Sequence, residues 1–106
     1  MLGRKIKKLK NWLQNRHNLQ LFRLRLAEDR QKTSLYRAVL ISHELSATGA
    51  PLMLLAAAEA ILADGGSVRV LAYMDGPLRE KFEKLGISVF YHPGFRGNAR
   101  LLNEFG

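Results

Sequence analysis

The residues best suited to chemistry lie in one short polar segment, residues 43–50, and are His43, Glu44 and Gly49. An imidazole and a carboxylate can meet a substrate hydroxyl or a phosphate, and a glycine lets a ligand come close to the backbone. The segment joins an apolar run to a long apolar helix candidate. The first N–H groups of a helix have no partner inside it, so a strand that enters a helix through a glycine is a favourable place for a ligand. We therefore expect His43, Glu44 and Gly49 of this segment to contact a substrate.

Several of these side chains also have an ordinary structural interpretation. His43 is either a loop histidine that satisfies nearby backbone groups or a substrate contact. Ser46 and Thr48 stand just before a helix, where hydroxyl groups commonly act as caps, and this favours capping over ligand binding. Asp75 is likewise a better candidate for a helix cap than for a catalytic acid. The sequence singles out no catalytic residue.

No metal site is expected. The chain has no cysteine, so it has neither a disulfide framework nor a thiolate metal site. His17 and His92 have no partners at metal-ligand spacing, and they receive no role. The absence of cysteine fits a reducing compartment, and the cytoplasm is the expected location.

The elements that position the polar segment alternate between strand and helix. They are a strand at 38–41, a helix at 51–64, a strand at 67–73, a helix that begins near Asp75-Gly76-Pro77, a strand at 87–91 and a helix at 98–105 capped by Asn98. This β-α-β-α-β order predicts an α/β fold with a three-stranded parallel sheet, half of a doubly wound fold. The run at 38–41 is apolar throughout, which predicts a strand covered on both faces.

The first of these helices is apolar almost all the way round. A stripe of large side chains is expected to face the sheet and consists of Leu54, Leu55, Ala58, Ile61 and Leu62. The opposite side carries Ala56, Ala60 and Ala63, and it is suited to close packing against another element. Glycines at 65–66 and 86 are expected to end the first two of these helices.

The net charge of +8 is concentrated at the start of the chain. Residues 1–37 carry eleven Lys and Arg against two Asp and Glu, and residues 38–106 carry six against seven. The high pI therefore describes a basic N-terminal arm, and the remainder is close to neutral. We predict two parts: an arm at 1–37 and an incomplete α/β domain at 38–106.

The arm has the pattern of a basic amphipathic helix. Leu2, Ile6, Leu9 and Leu13 recur at helical spacing, and the phase breaks near residues 15–18 before a second stripe resumes at Leu19, Phe22 and Leu26. The candidate membrane or partner contacts are Lys5, Lys7, Lys8, Lys10 and Trp12. Three interpretations are open: a helix packed on a neighbouring part of the protein, an interfacial helix on anionic lipid, and a nucleic-acid contact. The arm has no base-reading motif, so nucleic acid is the weakest of the three.

From Ala38 to about Phe90 the chain resembles the N-terminal domain of family 4 glycosyltransferases of the GT-B fold. The resemblance rests on the loop SHELSATGAP, the helix LMLLAAAEAILADGG, the strand VRVLAY and the segment DGPLREKFEKLGISV, in this order. It implies a Rossmann-like domain that holds the acceptor beside a second domain that holds the nucleotide sugar. It also implies that Gly49, with Thr48 and Ala50 beside it, lies at the cleft between them.

The implied chemistry is transfer of a sugar from a nucleoside-diphosphate sugar, a co-substrate, to a glycan or lipid-linked acceptor, with retention at the anomeric carbon. No other cofactor is implied. The acidic donor motif of the family belongs to the second domain and is not present here. We therefore interpret the chain as the acceptor-side part of a longer enzyme, inactive alone, whose partners are a C-terminal donor-binding domain, a sugar acceptor and an anionic membrane surface, with no nucleic acid.

Two other functions remain open. A Rossmann-type nucleotide-binding module is disfavoured because the loop offers one glycine where the G-x-G-x-x-G motif needs three. A non-catalytic adaptor would use the basic arm to dock on a membrane or a protein partner. The glycosyltransferase would be cytoplasmic, with peripheral attachment to the inner face of a membrane as a further hypothesis.

Overall fold

A computed structural model describes residues 2–30 and 34–106, without the side chains of residues 2–8, 11 and 12. The helices are α1 (Leu2–Arg30), α2 (Gly49–Ala63), α3 (Leu78–Lys84) and α4 (Ala99–Phe105), and the strands are β1 (Arg37–Ser42), β2 (Ser67–Ala72) and β3 (Ser88–Tyr91). A 3-10 turn at Pro93–Phe95 precedes α4. The order confirms the predicted α/β fold with a helical basic N-terminal arm.

The three strands form one parallel sheet in the order β1-β2-β3. Val39 of β1 pairs with Arg69 of β2, and Arg69 pairs with Ser88 of β3. The predicted partial Rossmann-like sheet is therefore confirmed. Because all three strands run the same way, their carboxyl ends meet at one edge of the sheet.

One face of the sheet is covered by α2 and α3. Ala58 of α2 and Phe82 of α3 are fully buried against Val70 of β2 and Val89 of β3. The predicted stripe of large residues on α2 packs on this core, which confirms its orientation. The alanines at 56, 60 and 63 stay exposed among the described residues.

The opposite face is covered by α1 and α4. Phe22 and Leu26 of α1 pack with Leu71, Phe90 and Phe105 in a second, largely aromatic core. The rings of Phe22 and Phe90 meet edge to face at 5.5 Å between centroids. The predicted stripe through Leu19, Phe22 and Leu26 is therefore a core-packing face. The division of the chain at residue 37 stays a prediction, although the second half of α1 contributes to this core.

A buried ion pair links α1, β2 and α4. The guanidinium of Arg69 donates to Asp29 Oδ2 at 2.8 and 3.0 Å, and to the carbonyl oxygen of Phe105 at 3.1 Å. Arg69 is 5% exposed and Asp29 is 11% exposed. Nearby, Arg23 of α1 forms a two-pronged ion pair with Glu104 of α4, and this contact lowers the pKa of the Glu104 carboxyl.

The contacts of α1 fix its direction relative to the sheet. Asp29 lies beside Arg69 and Ser88, near the amino ends of β2 and β3. Leu19 lies beside His92, just past the carboxyl end of β3. At 1.5 Å per residue, residues 2–14 therefore continue about 20 Å beyond that edge of the sheet. Within the described part of the chain, no helix is long and apolar enough to cross a membrane.

Four sequence-based expectations differ from the structure. The strand at 38–41 was expected to be covered on both faces, but Val39 and Ile41 are 37% and 50% exposed, because α1 and α4 lie over β2 and β3 and leave this edge strand open. The apolar phase break at 15–18 does not interrupt α1, which is helical throughout. Gly49 is the first helical residue of α2 and is not a loop residue.

The fourth difference concerns the start of α3. The expected cap was Asp75 or Gly76, whereas the N-cap position is occupied by Pro77 without a side-chain cap. The remaining helix ends agree with expectation. Asn98 Oδ1 accepts from Leu101 N at 3.1 Å, and Gly65 and Gly86 adopt φ values of 89° and 82° where α2 and α3 end.

Candidate functional site

The carboxyl edge of the sheet gathers three polar aromatic residues. His43, Tyr73 and His92 each directly follow a strand, β1, β2 and β3 respectively. The rings of His43 and Tyr73 meet edge to face at 5.6 Å between centroids. Ligands of open α/β sheets bind outside the carboxyl ends of the strands, so this edge is the candidate functional site.

Leu45 anchors the loop between β1 and α2. Its side chain is fully buried, and its carbonyl oxygen accepts from Leu78 N at 2.9 Å. Gly76 packs directly on this loop, since a Cβ at Gly76 would lie 2.4 Å from the Leu45 carbonyl oxygen. The buried Ser42 hydroxyl donates to the Glu44 carbonyl oxygen. These contacts join the β1–α2 loop to the β2–α3 loop and fix its course.

Three polar side chains of this loop form a hydrogen-bonded chain. The Ser46 hydroxyl donates to Glu44 Oε1 at 2.8 Å and lies 2.7 Å from Thr48 Oγ1. Thr48 occupies the N-cap position of α2, as predicted, but its hydroxyl makes no capping bond. The loop thus holds Glu44 and Thr48 in fixed relative positions, and it leaves the amino end of α2 without a side-chain cap.

Gly49 and Ala50 form the first turn of α2, and both are exposed. A Cβ built at Gly49 would meet no heavy atom within 4 Å, and its φ is outside the positive range. Glycine is therefore not required here by packing or by backbone conformation. The space in front of Gly49 is open to a ligand, and the helix dipole favours negative charge at this position.

His43 is exposed and free to meet a ligand. Its described contact is the Tyr73 ring, and Tyr73 is itself held by a bond from its backbone N to the Ser42 carbonyl oxygen at 3.3 Å. A second interpretation was that His43 satisfies local backbone groups. Among the described residues, no hydrogen bond of its side chain supports that interpretation. Its role as a substrate contact stays a prediction.

Asp75 belongs to an ion-pair chain at the edge of the site. Its Oδ1 accepts from Gly76 N and from Arg79 Nε, both at 2.8 Å, and Arg79 also bonds Glu83 at 3.2 Å. These hydrogen bonds, that to Asp75 first, raise the pKa of the Arg79 guanidinium. Arg79 also lies over the Tyr91 ring at 5.6 Å. Asp75 therefore positions the Arg79 side chain, which is different from the capping role expected.

His92 was given no role from the sequence, but it lies at this edge. Its Nδ1 accepts from Gly94 N at 2.9 Å, so the proton of the neutral ring is on Nε2. Nε2 is buried without a hydrogen-bond partner among the described residues, and burial lowers the pKa of the ring. His92 lines a cavity of about 250 Å³ with Asn15, Arg16 and Leu19 of α1. Only its position after β3 could have indicated this from the sequence.

The predicted site residues thus divide into two groups. His43, Glu44, Thr48, Gly49 and Ala50 come together in one loop and helix turn at the carboxyl edge. Of the predicted membrane contacts, Lys10 is exposed, and the side chains of Lys5, Lys7, Lys8 and Trp12 lie outside the described residues. In the part of the chain that the structure describes, no group of three His, Asp or Glu side chains could hold a metal ion.

Comparison with known proteins identifies the family. Neither the curated proteins nor the solved structures contain a match to the chain. The family model described as glycosyl-transferase family 4 matches residues 35–100, from just before β1 into the first turn of α4. That span is more than half of the 106 residues and contains the whole sheet, the loop at 43–48 and the start of α2. The chain therefore belongs to glycosyltransferase family 4.

Proposed function

We propose that this chain is the acceptor-side part of a retaining glycosyltransferase of the GT-B type. In this proposal a sugar passes from a nucleoside-diphosphate sugar to a glycan or lipid-linked acceptor that is held at the carboxyl edge of the sheet. The enzyme would work in the cytoplasm on glycan biosynthesis. The family match supports the class of reaction, and the geometry of the edge supports the place of the acceptor.

The observation that carries the proposal is the open approach to the first turn of α2. A side chain at Gly49 would contact no neighbouring atom of the protein, and the backbone φ there would permit one. Glycine nevertheless occupies this position and leaves the space open. The first turn of α2 has no side-chain cap, so the N–H groups of Gly49 and Ala50 could donate to a hydroxyl or phosphate oxygen. Glu44 is linked to Thr48 through Ser46, and His43 precedes it in the same loop, so a sugar hydroxyl bound there could both donate and accept hydrogen bonds.

The donor side of the reaction calls for a second domain. The chain contains no pair of glutamates eight positions apart, which is the spacing of the family's acidic donor motif. We therefore propose that the chain has no transfer activity alone and works beside a C-terminal domain that binds the nucleotide sugar. The role of the present residues is to bind and orient the acceptor.

An NMR titration of the isotope-labelled chain tests which ligand class this edge binds. The probes are a panel of oligosaccharides and isoprenyl-phosphate sugars as acceptors, and UDP-glucose, GDP-mannose and NAD as nucleotides. We expect an acceptor to shift the amide signals of residues 43–50 in a saturable way. The nucleotides should leave these signals unchanged at the same concentrations.

The opposite result would assign the chain to a different functional class. If NAD or a nucleotide sugar saturates the signals of residues 43–50 and no acceptor does, the chain is a nucleotide-binding module and the proposal is wrong. The anomeric configuration of the product, read by NMR on an enzyme that carries this chain with a donor domain, tests retention separately.

A further inference from the structure

Helix α1 has a second apolar surface on the side that faces away from the protein. Leu9, Leu13 and Leu24 are 55%, 51% and 67% exposed. At 100° per residue, Leu13 and Leu24 lie about 20° apart around the helix and about 180° from the buried Phe22. We define Leu9, Leu13 and Leu24 as the outer stripe. Core packing through Phe22 therefore leaves the outer stripe free.

The charged residues in the first 27 positions of the chain are all basic. The first 27 residues contain eight Lys and Arg and no Asp or Glu. The two acidic residues of α1, Glu28 and Asp29, stand at its far end, where Asp29 is bound to Arg69 on the sheet side. Lys10 is exposed next to Leu9. The outer stripe thus lies on a helix with a large excess of positive charge, of which Arg23 is paired with Glu104.

We propose that the outer stripe docks α1 along a membrane surface rich in anionic lipid. This surface goes beyond the acceptor site and does not depend on it. The leucines would enter the boundary between headgroups and acyl chains, and the basic side chains would meet lipid phosphates. Because the leucines face outward and Phe22 faces inward, α1 can bind the membrane and pack on the sheet at the same time.

Other occupants fit this surface less well. A second copy of α1 would bring two strongly basic segments together, and their repulsion opposes a helical pair. His17 and Gln20 also interrupt the apolar stripe between Leu13 and Leu24, which weakens a coiled-coil seam. Nucleic acid would use the charge but would leave the exposed leucines in water.

Docking would also set the distance between the membrane and the candidate site. Residues 2–14 of α1 continue past the carboxyl edge of the sheet, where His43 and Gly49 lie. A bilayer against the outer stripe therefore lies on the α1 side of the sheet, and α2, whose first turn contains Gly49, lies on the opposite side.

Vesicle co-sedimentation of the whole chain tests the proposal. The vesicles are phosphatidylcholine alone, or phosphatidylcholine with 30% phosphatidylglycerol. The test variants are Lys10→Glu and the double variant Leu13→Ser/Leu24→Ser. Matched controls make the same chemical changes elsewhere: Lys84→Glu on α3, and Met53→Ser on α2, where Met53 is 74% exposed. Circular dichroism checks that each variant keeps its helix content.

We expect binding to the anionic vesicles only, with at least a fivefold loss for Lys10→Glu and for the double leucine variant. The two controls should bind within about twofold of the original chain. Salt at 1 M should release the protein, since it shortens the screening length to about 3 Å. Trp12 is the only tryptophan, so its emission should shift to the blue when anionic vesicles are added.

Three results would overturn the proposal. Equal losses for Lys10→Glu and Lys84→Glu would show that net charge alone drives binding. Unchanged binding of the Leu13→Ser/Leu24→Ser variant would show that the outer stripe does not contact the membrane. No binding to anionic vesicles, with dimerisation in light scattering that the leucine variant abolishes, would identify a second copy as the occupant.

Discussion

Replacing Gly49 with valine tests whether the first turn of α2 contacts the acceptor. The new side chain would enter the open space in front of the helix, where the structure has no heavy atom within 4 Å of the added Cβ. If an acceptor occupies that space, the side chain holds it away from the backbone N–H groups. The protein itself has no reason to rearrange.

The expected change in stability is small, and the expected change in transfer is larger. Valine is a better helix former than glycine by about 0.3 kcal/mol, so the free energy of unfolding should stay the same or rise slightly. Loss of a close backbone approach should lower transfer at least about tenfold, which corresponds to roughly 1.4 kcal/mol of transition-state stabilisation. The two effects have opposite signs, so a folding defect cannot imitate the predicted result.

The assay is kcat/KM for the acceptor in an enzyme that carries this chain beside a donor-binding domain, with Tm measured on the same preparation. Ala63→Val is the matched control, because Ala63 is exposed at the opposite end of α2, about 20 Å from Gly49. It should leave transfer unchanged. Normal transfer by a stable Gly49→Val enzyme would refute the reasoning and leave the open space without a function.

Three further predictions concern the edge and the core. His43→Ala should lower kcat/KM at least about threefold and change the unfolding free energy by less than about 0.5 kcal/mol, because the side chain is exposed; unchanged kinetics would exclude a substrate contact. Asp29→Ala should lower the free energy of unfolding in urea by about 3–5 kcal/mol, because it leaves the buried Arg69 without its carboxylate partner. The same change in an Arg69→Met background should cost far less. Equal costs in the two backgrounds would contradict the ion-pair account. Burial lowers the pKa of His92, so the contribution of its neutral ring to stability should be fully present above about pH 6.5 and should be lost as the pH falls below that value. In melting curves at pH 7.5 and 5.0, His92→Asn should therefore lose less stability at the lower pH than the original protein. An identical loss in both proteins would exclude His92 as its source.

The local elements were predictable because each has a periodic apolar pattern. The stripe from Leu54 to Leu62 repeats at helical spacing, and the run at 67–73 is rich in β-branched residues, so both elements and their facing could be predicted. The position of His43 and Gly49 at the carboxyl edge was also predictable, because parallel strands joined through helices bring their carboxyl ends to one edge. The family followed from the same order of segments.

Contacts between distant parts of the chain could not be predicted. The ion pair between Asp29 and Arg69 joins residues 40 positions apart, and neither residue has a local pattern that names the other. The open face of Val39 and Ile41 has a similar origin: an apolar run predicts burial, but it cannot show that α1 lies over β3 and leaves this edge uncovered.

The sequence by itself determined the strands, the helices, the chemistry of the polar loop and the concentration of positive charge in the first 37 residues, because these properties depend on residue type and spacing over one or two turns. Tertiary structure alone decided that α1 packs through Phe22 and turns Leu13 outward, and that His92 lies beside it with its Nε2 atom buried. The physical reason is that a helix with apolar residues on two sides can bury either one. Only the sheet it meets selects which side becomes core and which stays exposed.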